Sequence, residues 1–162
     1  MKIVIIDSNK KYAEALFEKL KHQNFCEDKI IHHDIVDLGE FVNAIKIEKD
    51  DLILINCELK QKENTNKRQD FSAIEILKRL RLRKVNNHCI VYSFLTNIRI
   101  IKMNPLNSIL HSKGVTFVQA PFSVSEIISI DRKEIAKREN LLQFFRAEVD
   151  LSKIRQIGRA HV

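Results

Sequence analysis

The sequence predicts an α/β domain built on a doubly wound, five-stranded parallel sheet with helices on both faces. Three observations carry this. Apolar runs of strand length alternate with amphipathic stripes of helical period, five times along the chain. The run Leu52-Ile-Leu-Ile55 is apolar at every position, the pattern of a strand buried on both faces. Parallel strands also need crossover connections, which the intervening helices supply, and right-handed crossovers make a doubly wound sheet the natural solution.

Lys2–Ile6 is the first strand, and Asp7-Ser8-Asn9 is a turn able to cap the helix that follows. In that helix Ala13, Leu16, Phe17 and Leu20 recur at i, i+3, i+4 and i+7. Lys29–His32 is a weaker strand candidate. Leu38, Phe41, Val42 and Ile45 repeat the helical stripe behind Asp37, a cap residue. Leu52–Ile55 is the third strand, and it stops on Asn56. Residues 58–69 are polar and aperiodic and read as a loop, long for a connection between strand and helix.

Asp70 then serves as the N-cap of a helix carrying Ala73, Leu77 and Leu80, which ends near Lys84. Cys89–Phe94 is the fourth strand. Residues 97–112 stay open, because Pro105 would break or restart any helix there. Val115–Val118 is the fifth strand, followed by Ala120-Pro121-Phe122. Ser123-Val-Ser-Glu126 has the S-x-x-E form of a capping box and opens the last helix.

With 162 residues the chain holds one domain and a short extension. Three Gly and two Pro are too few for a fibrous or disordered chain. No apolar run approaches the ~20 residues that span a bilayer. The start, Lys2 to Asp7, turns acidic too soon for a secretory signal, so a cytoplasmic location is expected. Cys26, Cys57 and Cys89 are widely spaced and read as reduced core thiols. His32 and His33 are adjacent, so in an extended segment they point to opposite faces and cannot chelate together.

The formal charge is +7, with basic residues gathered at Lys67-Arg68, Lys78 to Lys84 and Arg132 to Arg138. Such runs form solvated helix faces and basic helix ends, or a surface for nucleic acid or an acidic partner. They hold no interleaved aromatics for stacking bases, which favours the first reading.

Several strand ends should converge on one crevice: Asp7, Asn56, Ser93 and Ala120-Pro121. On the strand order and on Ile-Ile-Asp7, Leu-Ile-Asn56, Val-Tyr-Ser93 and Ala120-Pro121-Phe122, residues 1–130 resemble the response-regulator receiver domain. That family is the phosphoacceptor module of bacterial two-component signalling, with a flavodoxin-like fold. The resemblance implies two adjacent acids after the first strand that help hold a divalent cation, and an Asp ending the third strand that accepts the phosphoryl group. It also implies a hydroxyl from the fourth strand and a Lys before a cis-bonded Pro, both binding the phosphate.

Asp7 matches the first acid and Ser8 replaces the second. Asn56 replaces the acceptor, Ser93 matches the hydroxyl, Ala120 replaces the Lys, and Pro121 matches the Pro. A hard cation such as Mg²⁺ favours carboxylate oxygens, and here three carboxylates fall to one. Phosphoryl transfer also needs cations to neutralise developing charge. The expectation is therefore a degenerate receiver that is no enzyme and needs no cofactor, with Mg²⁺ binding weak at most. Glu58 and Lys113 are the residues that could substitute for the missing charges. Asp7 and Ser93 also have plain structural uses, as a helix cap and a backbone hydrogen-bond partner.

The resemblance makes a protein partner or an output domain the expected contact, through the C-terminal half. The surface it implies is the last strand with the helix before it and the helix after it, and a homodimer is among the expected assemblies. Nucleic acid enters through an output domain, or directly through the basic runs. Residues 131–156 read as a helical extension or linker, in which the Leu141-Leu142 and Phe144-Phe145 pairs close the core or dock a partner helix. Asp150 to Arg155 looks like a cap and the start of a new helix. Ile157-Gly-Arg-Ala-His-Val162 matches the conceptual translation of a common sequencing-library adapter and is set apart from the fold, so the natural chain is expected to continue past Gln156.

Overall fold

Strands that are apolar at every position need cover on both faces, and here they have it. The computed structural model describes residues 1–59, 72–95 and 112–160. Its strands are β1 (Lys2–Ile6), β2 (Asp28–His32), β3 (Leu52–Asn56), β4 (Cys89–Ser93) and β5 (Val115–Gln119). They form one sheet in the order β2-β1-β3-β4-β5, with every neighbouring pair parallel. Every residue of β3 and β4 is buried. The order reverses at β1, so the crevice between the C-terminal ends of β1 and β3 is the switch point where such sheets bind ligands.

The helices are α1 (Lys10–His22), α2 (Leu38–Ala44), α3 (Ser72–Leu82) and α4 (Val124–Ala160). Alternation along a strand sends Val4, Ile6, Ile53 and Ile55 to one face, where they cluster with Val42 of α2 and Ala73, Leu77 and Leu80 of α3. Ile3, Ile5 and Leu54 take the other parity, and α1 packs against β1 and β2 with Ala13, Leu16, Phe17 and Leu20 buried. Covering each such aliphatic side chain is worth roughly 1.5–3 kcal/mol.

The helix caps follow the local sequence. Asn9 Oδ1 accepts from the Tyr12 N–H at 3.1 Å, so Asn9, two residues past Asp7, is the cap of α1. Asp37 Oδ1 accepts from the Glu40 N–H at 2.8 Å and caps α2. Ser123 stands just before α4, its hydroxyl 2.8 Å from Ser125 Oγ and its carbonyl accepting from the Glu126 N–H at 3.1 Å. α1 and α3 close on Asn24 and Lys84, both left-handed (φ 56° and 61°), with Phe25 N–H returning to Leu20 O and Val85 N–H to Leu80 O.

The chain forms two compact units, Met1–Ile128 and Ser129–Val162. A new helix does not begin at Asp150: α4 runs unbroken through it, because no Gly or Pro interrupts the chain between Val124 and Ile157. The Asp70 cap, Lys67-Arg68, most of the loop from 58 to 69 and residues 96–111 lie outside the described residues. Among the described residues no helix is long and apolar enough to cross a membrane. Cys26, Cys57 and Cys89 are buried thiols outside any disulfide. The His32 ring packs edge-on to Phe41 at 5.0 Å while His33 Nδ1 lies 3.2 Å from Asp34 Oδ1, so the two histidines engage different partners.

Part of the basic run is consumed by the fold. Arg81 donates to Val85 O, Asn87 O and Gly114 O at 2.7, 3.0 and 3.3 Å. Arg83 donates to Val42 O, and Arg79 pairs with Glu75 at 3.8 Å. Beside them the buried Asn87 amide donates to Glu48 O, Lys49 O and Asp51 O at 2.7, 3.2 and 2.8 Å. Asn87→Ala strips these carbonyls of their donor, so chemical unfolding should show a loss of about 2 kcal/mol with the m-value unchanged.

Candidate functional site

Strand register builds the site. Ile6 pairs with Ile55, so the next residue, Asp7, comes beside Asn56, and Asn56 pairs in turn with Tyr92. Three polar side chains on three adjacent strands thus meet at the switch point. All are buried, with Asp7 1 % exposed.

A carboxylate so covered needs donors on both oxygens. Asp7 Oδ1 accepts from the Asn9 N–H at 2.8 Å. Oδ2 accepts from Asn56 Nδ2 at 3.2 Å and from the Tyr92 hydroxyl at 2.5 Å. The other end of the Asn56 amide is also committed, since Oδ1 accepts from the Glu58 N–H at 2.9 Å.

A second group of bonds lies at the end of β4. Ser93 is fully buried, and its hydroxyl donates to Glu58 Oε1 through a very short contact. The Leu95 N–H donates to the same oxygen at 3.1 Å and to Ser93 Oγ at 3.0 Å. Glu58 Oε2 is buried with no hydrogen-bond partner among the described residues. Gln119 Nε2 bridges Ser93 O and Ala120 O at 2.9 and 3.1 Å. The Ala120–Pro121 bond is cis, and Ala120 presents only a methyl group.

A cavity of about 510 Å³ opens over Asp7 and Asn56. Glu58, Tyr12 and Phe94 contribute to its wall together with Ser8, Lys10 and Lys11. Tyr12 links two aromatic neighbours, Tyr92 at 5.9 Å and Phe94 at 5.4 Å between ring centres. Of the residues singled out in the sequence, Asp7, Ser8 and Asn56 meet at this cavity, whereas Ser93, Ala120 and Pro121 are not part of its wall. Glu58 lies between the two groups. Lys113 is no substitute cation: it sits in the turn before β5, at the opposite end of the strand from the crevice.

Five contributors escape a reading of motifs alone: Tyr92, Tyr12, Phe94, Lys10 and Lys11. Tyr92 left a signal, an aromatic hydroxyl one residue short of Ser93 in an apolar strand, but only the register sets it beside Asn56. Burial pushes its phenol well above the ordinary value, and the Asp7 charge and hydrogen bond push the same way. Burial, then the Asp7 charge, raises Tyr12. The Cys57 thiol is pushed up to about 12, chiefly by burial and then by Glu58.

These shifts carry a pH signature. A phenol whose pKa is raised by folding stabilises the folded chain fully below its ordinary value of 10.0, and that contribution fades as pH rises beyond it. Tyr92→Phe removes a donor from a buried carboxylate and should destabilise the protein by about 2 kcal/mol near neutral pH. It should also flatten the alkaline fall in stability, which urea unfolding at about pH 8 and about pH 11 measures.

No protein-family model matches the chain, and no curated protein matches it in sequence. Solved structures match it in fold. A CheY-like receiver domain from Methanospirillum hungatei aligns with TM-score 0.57 at 13% identity, over 86% of this chain and 96% of that one. A response regulator receiver protein from Pseudoalteromonas atlantica aligns with TM-score 0.57 at 18% identity, over 85% and 99%. The receiver domain of a Francisella response regulator gives 0.54 at 20% identity, over 85% and 98%. At such identities the likeness establishes architecture, and the chain has the CheY-like receiver fold, a flavodoxin-like α/β sheet.

Proposed function

We propose that residues 1–130 are a non-phosphorylatable, receiver-like signalling domain that acts by protein–protein contacts in two-component-type or transcriptional regulation. One observation carries this reading. The side chain at the acceptor position is the amide of Asn56, held at both ends by Asp7 and the Glu58 N–H. An amide has no anionic oxygen to attack phosphorus, and these bonds occupy its polar atoms.

Two further features agree. The Glu58 carboxylate already engages the Ser93 hydroxyl and the Leu95 N–H, donors that an incoming phosphoryl group would have to win. A phosphoryl group placed beside that carboxylate would meet like charge. The donor set also fits a divalent cation poorly, because both Asp7 oxygens are engaged, Ser8 is not an acid and Glu58 has given Oε1 to Ser93 and Leu95, leaving Oε2 alone. The domain is then no enzyme. Its switching comes from a partner, a ligand or self-association that favours one of two conformations.

The matched structures are named as receiver domains, and one is a Thermotoga maritima OmpR/PhoB homologue of which this chain covers 53%. As part of this reading we propose an output region beyond the receiver unit and a cytoplasmic setting, with which that likeness agrees. Direct nucleic-acid binding is the weaker reading, since Arg81 and Arg83 are tied to backbone carbonyls.

Incubated with Mg²⁺ and a small-molecule phosphodonor, the chain should keep its unmodified intact mass. A stoichiometric gain of one phosphoryl group would sink the reading. Affinity for DNA or RNA that drops steeply with salt would point to the basic runs instead.

A further inference from the structure

α4 carries a line of apolar side chains spaced by seven residues: Ile128, Ile135, Leu142 and Val149. Ile128 is buried within the first unit, whereas Ile135, Leu142 and Val149 are 47, 57 and 53 % exposed. Phe145, three residues after Leu142, joins the same stripe at 61 % exposed. A period of seven drifts only about 20° per repeat around a straight helix, so these side chains share one narrow face. In a seven-residue frame this places β-branched and Leu side chains at a, while of the d positions Arg138, Phe145 and Ser152 only Phe145 is apolar, so a seam against another helix would centre on Leu142 and Phe145.

From this face we infer that α4 pairs with α4 of a second copy, antiparallel, across the Leu142–Phe145 stripe. Charge selects both the partner and the direction. Glu139 and Arg146 flank the stripe on the same side, and Glu134 and Glu148 flank it on the other. With Leu142 of one copy over Phe145 of the other, Glu139 comes beside Arg146 of the second copy, and the two-fold axis repeats the pair. Arg138, held by Glu134 at 3.2 Å, then lays its aliphatic stem over Val149 of the other copy. A parallel pairing would stack Arg138 on its own counterpart and set Glu134 against Glu139.

Four such side chains per copy, each covering on the order of 100 Å², bring roughly 800 Å² to the pair, so the flanking Arg138, Glu139 and Arg146 must add the remainder of the ~1,000 Å² that a specific interface has to clear. Phe144 and Leu151 lie off this stripe. The pairing does not rest on the reading of the Asp7–Asn56 crevice, and either can fail alone.

The test uses the whole chain in sedimentation equilibrium. The protein should have twice its 19.0 kDa monomer mass throughout the micromolar range. Leu142→Glu with Phe145→Glu should give monomers with an unchanged circular dichroism spectrum, and Phe144→Glu should stay dimeric. In the antiparallel seam residue 135 faces residue 152 of the other copy. Ile135→Cys should therefore cross-link with Ser152→Cys in a mixture and not with itself, while the three native cysteines are buried. A monomeric chain, a dimer that survives the double substitution or is broken by Phe144→Glu, or self-cross-linking at position 135 would each overturn the inference.

Discussion

A carboxylate buried to 1 % exposure is a demanding thing to place at the end of a strand, and Asp7 sets the terms for everything around it. An unpaired charge in such a setting is costly by several kcal/mol, so its oxygens must be met by donors. The Asn9 N–H, the Asn56 amide and the Tyr92 hydroxyl meet them. Each donor comes from a different part of the chain: the turn that starts α1, the end of β3 and the end of β4. The register of the three strands is therefore coupled to one ionic group. A slip by one residue would send Asn56 or Tyr92 to the other face and leave the charge unmet.

The same economy of donors shapes the neighbouring β4 end. Ser93 is interior, and its hydroxyl, like the Leu95 N–H, has a single anionic acceptor in Glu58. Glu58 is itself placed by the chain direction that Asn56 fixes through the Glu58 N–H. The crevice thus reads as two linked clusters, one centred on the Asp7 carboxylate and one on the Glu58 carboxylate, with Asn56 between them. Asp7 has donors on both oxygens from inside the domain, whereas Glu58 has them on Oε1 and its buried Oε2 has none among the described residues.

Much of this was legible in the sequence, and what was not has a physical reason. The strands were plain because apolar runs bounded by polar residues leave few alternatives, and the convergence of Asp7 and Asn56 follows from parallel order alone. Glu58 was visible as a nearby acid, but its direction was not, because a side chain just past a strand can turn either way. Tyr92 entered only as the middle of Val-Tyr-Ser93, since its hydroxyl gains meaning only from a residue 85 positions away. Lys113 went wrong although chain order was enough to place it: it precedes the fifth strand, and in a parallel sheet that end lies away from the crevice. Asp150 misled because a cap residue is a helix start only where the backbone is free to turn, and here the preceding helix carries on through it.

Asn56 is followed by Cys57, whose backbone N–H donates to Tyr92 O at 2.8 Å within the β3–β4 ladder. Ageing of an asparagine to aspartate starts when the next residue's nitrogen attacks the side-chain amide and closes a five-membered imide. That attack needs a backbone nitrogen free to swing toward the side chain. The ladder denies it that freedom, and the hydrogen bonds of the amide hold its carbon in place. Spontaneous deamidation, the one uncatalysed route by which time alone could install a carboxylate at this position, is therefore slowed for as long as the sheet stays folded.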